Sequence, residues 1–397
     1  MRILANDVPT NIPGAEQAGG GGTGNLTALL GPHAALQGHV WIGVCYRGTR
    51  AKKPFFRKIY DKKRQIFVTY FFPSASATAI VKAPTQGDPR EILRPEIEGM
   101  KRLMKRMKPD IVFLNGYSLQ GWLMLAAAQE LQLPLVMKHG GLWKIEIDLY
   151  RDLYSPAGRK LLCDMERDIS RYADLEIFLN ETSREQYKKI IAPLPIQPHA
   201  VIPQPLPPLH PRRHAKHKDE RVQVGIVARW DRIKNHKAFY AVAKRAHELE
   251  LPWDFHAVCA FPAHPKRRLG RIYKKYVTVH PPMKKPELFS FYDKMDIALL
   301  PSLYDVMPHV VIEAASRGIG TIIAENVGWR SVFEKTKNRI WIDSFTDPDE
   351  TIRKMKRLKG KNLSPEFFQY AKKHMNKTKV LDRYLETFAQ VIKAKKD

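Results

Sequence analysis

Two acidic side chains, Asp305 and Glu313, stand eight positions apart around a predicted junction between a strand and a helix. The apolar run from Ile297 to Leu300 predicts a buried parallel strand, and Pro308 stands where the first turn of a helix tolerates proline. Open α/β sheets bind ligands at the carboxyl ends of their strands. We therefore expect Asp305 on the loop after the strand and Glu313 about one turn into the helix, both facing a ligand.

These residues suit recognition of a sugar nucleotide. A helix start at Pro308, His309 and Val310 would direct backbone N–H groups at an anion. The carboxylate of Glu313 can accept hydrogen bonds from both hydroxyls of a ribose. An acidic helix start without a ligand is the alternative interpretation.

Arg229 and Lys234 follow the predicted strand Val222 to Val227 and stand five positions apart. An arginine at a strand end and a nearby lysine could together hold a diphosphate and offset the charge on a leaving group. A solvated basic loop is the alternative. The segment that contains Asp305 and Glu313 favours the diphosphate interpretation.

A glycine-rich stretch, Gly14 to Gly24, follows a short apolar strand at residues 2–5. Gly19, Gly21 and Gly24 formally match a dinucleotide fingerprint, but they stand too far from the strand, and no acidic residue follows at the expected distance. The spacing therefore argues against a nicotinamide site. A flexible surface loop and a loop that approaches a ligand with bare backbone both remain open.

His139 ends a predicted strand, in the run Met137-Lys138-His139-Gly140-Gly141. Taken by itself, a lone histidine at a strand end favours a structural hydrogen-bonding role.

Strands and helices alternate along the chain in two series, which predicts an α/β protein with parallel sheets. The proline-rich tract from Pro193 to Pro211 separates the series and is the predicted hinge. We predict a first domain at 1–205, a second domain at 206–375 and a C-terminal helical segment at 376–397. Each domain is expected to be a doubly wound, Rossmann-like sheet.

The run from Pro301 to Ala314, together with Arg229 and Lys234, resembles the donor-site signature of family 4-type glycosyltransferases, the group 1 glycosyl transferases of the GT-B fold. The signature of the family runs Pro-Ser, Glu, Pro and then Glu-Ala. In this chain Asp305 occupies the position of the first glutamate. The resemblance implies two Rossmann-like domains that face each other across a cleft. It also implies that the C-terminal helix returns to the first domain.

The same resemblance implies a retaining, metal-independent hexosyltransferase that uses a nucleotide diphosphate sugar as donor and needs no other cofactor. Glu313 would bind the ribose, Asp305 would orient the sugar, and Arg229 with Lys234 would neutralise the diphosphate. His139 and the loop at Gly21 and Gly22 would lie beside the transferred sugar and the donor phosphates. The acceptor would be a glycolipid, a polysaccharide or a lipopolysaccharide precursor.

The chain of 397 residues has 67 Lys and Arg against 40 Asp and Glu, a formal net charge of +27. Such an excess predicts an acidic partner, and the segment Arg47 to Arg64 concentrates it, with Phe55, Phe56 and Tyr60 interleaved. An anionic membrane surface, nucleic acid and a plain solvated basic loop all fit this segment.

No apolar run has the length of a membrane span, and the start lacks the apolar core of a signal peptide. Three distant cysteines, Cys45, Cys163 and Cys259, show neither metal-ligand spacing nor a disulfide pattern. We expect a cytoplasmic protein, peripheral on the inner face of a membrane. The rival hypotheses are a nonenzymatic nucleic-acid-binding α/β protein and a glycosyltransferase that acts on modified nucleic acid.

Overall fold

The chain divides into two compact units. Unit 1 comprises Met1–Pro205 and Lys377–Asp397, and unit 2 comprises Leu206–Asn376. Unit 2 is thus inserted, in sequence, between the two parts of unit 1. The computed structural model describes residues 1–7, 22–46, 54–62, 65–72, 88–206, 221–260 and 272–397.

Unit 1 is built on a sheet of eight described strands in the order β3-β4-β2-β1-β5-β6-β7-β8. All neighbours are parallel except β3 and β4, which form an antiparallel pair. The strands are β1 (Arg2–Asp7), β2 (Val40–Tyr46), β3 (Phe55–Asp61), β4 (Ile66–Phe72), β5 (Ile111–Asn115), β6 (Leu135–His139), β7 (Leu175–Phe178) and β8 (His199–Val201).

Helices cover this sheet, and their apolar faces make its two cores. The described helices are α1 (Gly22–Leu36), α2 (Pro89–Ile92), α3 (Arg94–Met107), α4 (Leu119–Glu130), α5 (Trp143–Leu149), α6 (Pro156–Tyr172) and α7 (Glu181–Ile191). In α3 an apolar stripe of Ile97, Met100, Met104 and Met107 is buried against the core.

The antiparallel pair of β3 and β4 was not predicted from the sequence. The basic segment Arg47 to Arg64 was expected to be a loop or a docking segment, and its residues Phe55–Asp61 form β3. Phe56 packs against the core while Arg57 and Lys58 remain exposed. The rest of that segment, 47–53 and 63–64, lies outside the described residues.

The last helix, α14 (Lys377–Ala394), completes a core of unit 1. Tyr384 and Phe388 pack edge-on and tilted against Phe113 of β5, with ring centroids 5.9 and 5.0 Å from the Phe113 centroid. Arg383 donates a hydrogen bond to the carbonyl of Val201, 2.9 Å away. The helix is therefore an integral part of unit 1.

Unit 2 is built on a sheet of six described strands, all parallel, in the order β11-β10-β9-β12-β13-β14. Its strands are β9 (Val222–Val227), β10 (Trp253–Val258), β11 (Thr278–His280), β12 (Ile297–Leu300), β13 (Thr321–Ala324) and β14 (Ile342–Asp343). The strand order reverses between β9 and β12. At such a point the loops after neighbouring strands diverge and leave a ligand crevice at the carboxyl ends.

The helices of unit 2 complete a doubly wound arrangement. The described helices are α8 (His236–Glu248), α9 (Lys285–Tyr292), α10 (His309–Ser316), α11 (Arg330–Phe333), α12 (Pro348–Leu358) and α13 (Pro365–His374). Gly318 follows the end of α10 with a positive φ of 79°. Glycine takes that conformation without the strain a Cβ would cause.

The α/β class and the parallel sheets predicted from the alternation are confirmed. The boundary between the units at Pro205 and Leu206 lies in the proline-rich tract, of which 207–211 is outside the described residues. None of the described helices is long and apolar enough to cross a membrane.

Candidate functional site

Lys234 and Asp305 meet at the point where the strand order of unit 2 reverses. The Lys234 ammonium group donates a hydrogen bond to the Asp305 carboxylate, and each side chain is 16% exposed. Lys234 follows β9 and Asp305 follows β12, so the contact joins the loops after the two central strands. Two residues from distant parts of the sequence, both predicted to bind the same ligand, are thus neighbours.

The loop after β9 is folded so that Lys234 can reach this position. The Asp231 carboxylate accepts a hydrogen bond from the backbone N–H of Ile233 at 3.0 Å and caps a short 3-10 helix. The backbone N–H of Leu303 donates to the carbonyl of Ile233 at 2.8 Å and ties the two loops together. Lys234 is therefore presented from a fixed backbone.

The backbone of Asp305 is fixed as well. Asp305 forms an isolated parallel bridge with Val327, and its carbonyl accepts a hydrogen bond from the N–H of Gly328 at 2.8 Å. These contacts hold the loop after β12 against the loop after β13. The backbone that carries the Asp305 carboxylate is thus fixed by the protein's own hydrogen bonds.

Arg229 has a different environment from Lys234. Its side chain is 76% exposed and lies 3.6 Å from the Asp231 carboxylate. Its carbonyl accepts a hydrogen bond from Nε2 of the buried His236 at 2.9 Å, and burial lowers the pKa of His236. The backbone at Arg229 is thus anchored while the guanidinium remains accessible to an anion.

Helix α10 begins directly after the loop that carries Asp305. Pro308 caps its start with extended backbone, and the Pro308 carbonyl accepts a hydrogen bond from the indole N–H of the buried Trp329 at 2.9 Å. His309 and Val310 are the first residues of the helix. Their position matches the predicted helix start, where backbone N–H groups point outward and attract an anion.

Glu313 lies one turn into α10 and is buried. Its carboxylate accepts a hydrogen bond from Lys285, the first residue of α9, whose side chain is 62% exposed. Burial, and next the charge of Glu313, raise the pKa of the nearby Tyr292 well above its ordinary value. Glu313 therefore offers a buried acceptor whose ionic partner is accessible to solvent.

His139 ends β6 in unit 1 and is fully buried. Its Nε2 lies 3.1 Å from the Glu176 carboxylate and its Nδ1 lies 2.8 Å from the Tyr117 hydroxyl. The ring also stacks on Phe178 with centroids 4.4 Å apart. Both ring nitrogens are thus engaged inside unit 1, as the structural alternative requires, and a role beside a sugar stays a prediction.

Two further buried ionisable groups lie near His139. Burial lowers the pKa of Lys138 to about 7, and its ammonium group lies 3.1 Å from Oδ1 of Asn115. Burial raises the pKa of Glu166 to about 7, although its carboxylate accepts the backbone N–H groups of Trp143 and Lys144 at the start of α5.

Only one of the two glycines predicted to lie beside the donor phosphates is among the described residues. Gly22 is the first residue of α1, and Gly21 lies outside the described residues. Within the part of the chain that is described, no group of three or more His, Cys, Asp or Glu side chains could hold a metal ion.

The sequence of unit 2 matches a known family. Residues 221–360 match the family model described as glycosyl transferases group 1, and these residues include Arg229, Lys234, Asp305 and Glu313. Residues 221–360 are a group 1 glycosyltransferase domain. The resemblance inferred from the donor-site signature is confirmed by this match, and so is the coarse assignment as a glycosyltransferase.

Solved structures extend the likeness beyond the group 1 domain to the whole chain. Sucrose-phosphate synthase from Thermosynechococcus elongatus is 17% identical over 99% of each chain, with a TM-score of 0.72. A trehalose-6-phosphate synthase studied for glycosyl transfer with retention is 14% identical, with a TM-score of 0.65 and coverage of 98% of this chain and 99% of that one.

A UDP-forming trehalose-phosphate synthase from Burkholderia xenovorans, in complex with glucose-6-phosphate, is 13% identical over 98% of this chain and 99% of its own, with a TM-score of 0.61. These likenesses confirm the predicted GT-B fold. The search of curated proteins finds no match.

Two charged partners in or near these sites were missed by sequence reasoning. Lys285 of the group 1 domain, which pairs with Glu313, stands among several lysines and carried no distinguishing signal. Glu176, which pairs with His139, interrupts the apolar run of β7. An acid inside an otherwise apolar strand is a usable signal, because buried carboxylates are seldom unpartnered.

An aromatic cavity of about 670 Å³ lies beside the first loop of the group 1 domain. Trp230, His236, Tyr240 and Tyr273 contribute to its wall, and the ring centroids of Trp230 and His236 are 4.6 Å apart. Lys234 and Asp305 do not line it. The cavity is therefore distinct from the charged pair.

Proposed function

We propose that this glycosyltransferase moves a hexose-type sugar from a nucleotide diphosphate sugar to an acceptor glycan or glycolipid, with retention of anomeric configuration. The observation that carries the proposal is the contact between Lys234 and Asp305 at the strand reversal of a group 1 domain. There a cation can meet the diphosphate while a carboxylate meets the sugar.

The role proposed for each site residue follows from its charge and its exposure. Arg229 and Lys234 would neutralise the diphosphate and its developing charge on departure. The helix start at Pro308, His309 and Val310 would add backbone N–H groups, and Glu313 would accept the ribose hydroxyls. Asp305 would hold Lys234 in place and orient the sugar.

No divalent cation is required in this proposal, because side-chain cations can stabilise a leaving diphosphate electrostatically. The nucleotide diphosphate sugar is the donor substrate, and no further cofactor is proposed. The assignments of His139, Gly21 and Gly22 to the transferred sugar remain predictions. Activity that persists in EDTA supports the metal-independent mechanism, and loss of activity that Mg²⁺ restores contradicts it.

Retention and the acceptor are proposed with support from similar structures. One is a synthase studied for transfer with retention, and another is UDP-forming and holds glucose-6-phosphate. The acceptor candidates that the family resemblance implies are a glycolipid, a polysaccharide or a lipopolysaccharide precursor. Glucose-6-phosphate, which one similar structure contains, is a soluble test acceptor. A cytoplasmic protein, peripheral on the inner face of a membrane, is the proposed setting.

A screen of UDP-, GDP- and ADP-sugars by thermal shift and donor hydrolysis tests the proposal. The wild type is expected to be stabilised by one nucleotide class and to hydrolyse its sugar slowly. Lys234→Met should lose both responses, whereas Lys237→Met, at an exposed lysine of α8, should keep them. Salt-sensitive binding of DNA or RNA with no response to any sugar nucleotide would instead support a nucleic-acid-binding protein.

A further inference from the structure

The hairpin β3–β4 and the end of helix α3 form one continuous basic surface on unit 1. We define the basic surface by the exposed cations that these two elements contribute. They are Arg57, Lys58 and Lys62 on or beside β3, and Arg102, Lys105, Arg106 and Lys108 on or beside the last turns of α3.

Direct contacts hold the two elements together. The Arg106 guanidinium lies over the ring of Phe56, 5.6 Å from its centroid, and Nη2 of Arg102 is 3.5 Å from the carbonyl oxygen of Pro54. Gly99 of α3 faces Pro54 so closely that a Cβ at this position would lie 2.8 Å from Cβ of Pro54. These contacts hold the hairpin and the helix end side by side. Lys58 leaves β3 on the same face as Phe56, toward α3, whereas Arg57 leaves the opposite face, so the cations surround this edge of unit 1.

The charges of α3 are compensated only up to Lys101. Arg94 and Lys101 pair with Glu98 and Glu130. Beyond Lys101, no described carboxylate forms an ion pair with Arg102, Lys105, Arg106 or Lys108, and the same holds for Arg57, Lys58 and Lys62 of the hairpin. The cations of the basic surface are thus not ion-paired with any carboxylate side chain whose position is described, which suits an external anion.

Two aromatic side chains of β3 are about half exposed, and the ring of Tyr60 also packs against Phe67 of β4, with ring centroids 4.9 Å apart. Phe55 is 50% exposed and Tyr60 is 47% exposed. Their positions differ by an odd number, so they leave opposite faces of β3. Since β3 is an edge strand among the described strands, both rings can enter an apolar boundary that approaches this edge.

We propose that the basic surface docks unit 1 on a lipid bilayer that contains anionic headgroups. The cations would attract the headgroups, while Phe55 and Tyr60 would insert at the boundary with the acyl chains. A nucleic acid strand fits the charge but not the aromatics, because rings on opposite faces of a strand do not form one stacking platform for successive bases. This inference does not depend on the donor site.

Vesicle sedimentation tests the proposal without any sugar nucleotide. The full chain is mixed with vesicles of phosphatidylcholine alone or of phosphatidylcholine with phosphatidylglycerol. Binding is expected only to the anionic vesicles and should weaken as salt is raised. The double variant Lys105→Glu/Arg106→Glu should bind them about tenfold or more weakly, since each basic residue contributes to attraction near the membrane.

The matched control is Lys356→Glu/Arg357→Glu. It removes the same charge from the last turn of another amphipathic helix, α12, and should bind vesicles nearly as the wild type does. Phe55→Ser/Tyr60→Ser keeps every charge and should also lose affinity. Thermal unfolding of each variant checks that unit 1 remains folded.

Several results would overturn the proposal. Equal binding by the Lys105→Glu/Arg106→Glu variant and the wild type would show that the basic surface is not used. If both charge variants bind anionic vesicles equally weakly, binding depends on the net charge of the protein and not on the basic surface. Tight, salt-sensitive binding of single-stranded RNA with no binding to anionic vesicles would assign the surface to nucleic acid instead.

Discussion

The ammonium group of Lys234 contacts the carboxylate of Asp305, although 71 positions separate the two residues in the chain. The pair bridges the loops after β9 and β12. Both backbones are anchored by their own hydrogen bonds, so the protein itself holds the two residues in position. A preorganised cation of this kind can stabilise charge without reorganisation during the reaction.

Replacing Lys234 with Met should lower kcat by about a hundredfold or more, because a preorganised charge-stabilising group is lost. Asp305→Asn should have a smaller effect, and the double variant should be little worse than Lys234→Met alone, since the two residues act as a unit. Steady-state kinetics with the preferred donor measures all three. Fully additive losses would show that the two residues act independently.

Replacing Glu313 with Gln should weaken nucleotide binding by roughly tenfold to a hundredfold, because a charged acceptor of hydrogen bonds is removed. Folding should change little, since its partner Lys285 is exposed and can be solvated. Calorimetric titration with the free nucleoside diphosphate measures the affinity. Glu334→Gln, an exposed acid in the same unit, is the matched control, and unchanged affinity in Glu313→Gln would contradict the ribose assignment.

Replacing Lys138 with Met should stabilise the protein most at and below neutral pH. Burial lowers the folded-state pKa of Lys138 from 10.5 to about 7, so the unfolded chain binds a proton between these values that the folded chain lacks. Stability therefore rises with pH through that window, and the folded state carries the full burial cost below it.

The stabilisation by Lys138→Met should accordingly shrink as the pH rises toward about 10. Urea unfolding of both proteins across this range measures the difference. Glu166 also has a pKa of about 7, but it is present in both proteins and cancels. Lys108→Met, at an exposed position, should show no such trend. A pH-independent difference would contradict the assigned pKa.

Replacing Phe388 with Ala should destabilise unit 1 by about 3–5 kcal/mol, the usual cost of removing a fully buried aromatic ring. Phe388 of α14 packs against Phe113 in the core that also contains β1. Thermal or urea unfolding measures the loss. Lys393→Ala, on the exposed face of the same helix, should be nearly neutral, and a neutral Phe388→Ala would mean that α14 contributes little to the core.

The parallel strands were predictable because their side chains are buried on both faces and read as short apolar runs. The run from Ile297 to Leu300 was predicted with the bounds that the structure has. Strand β3 was missed because it is an edge strand, and exposed positions such as Arg57 and Lys58 can be basic without weakening its pairing. The basic composition of this segment reflects the exposed positions of β3 and does not indicate a strand.

The site was predictable in its residue types and only partly in its contacts. Lys234 and Asp305 were selected for a common ligand, and their direct contact depends on loop backbone that no sequence period encodes. Lys285 could not be selected, because an exposed lysine at a helix start looks the same whether or not it reaches Glu313. The partners of His139 are likewise set by the sheet order, which places β7 beside β6.

The insertion of unit 2 between the two parts of unit 1 has a consequence for biosynthesis. A ribosome delivers β1 to β8 first, then all of unit 2, and only afterwards the helix α14 that completes the core of unit 1. The apolar groove that binds Tyr384 and Phe388 therefore stays uncovered by α14 while 171 residues, from Leu206 to Asn376, are synthesised. The second unit can finish folding on the nascent chain before the first one does.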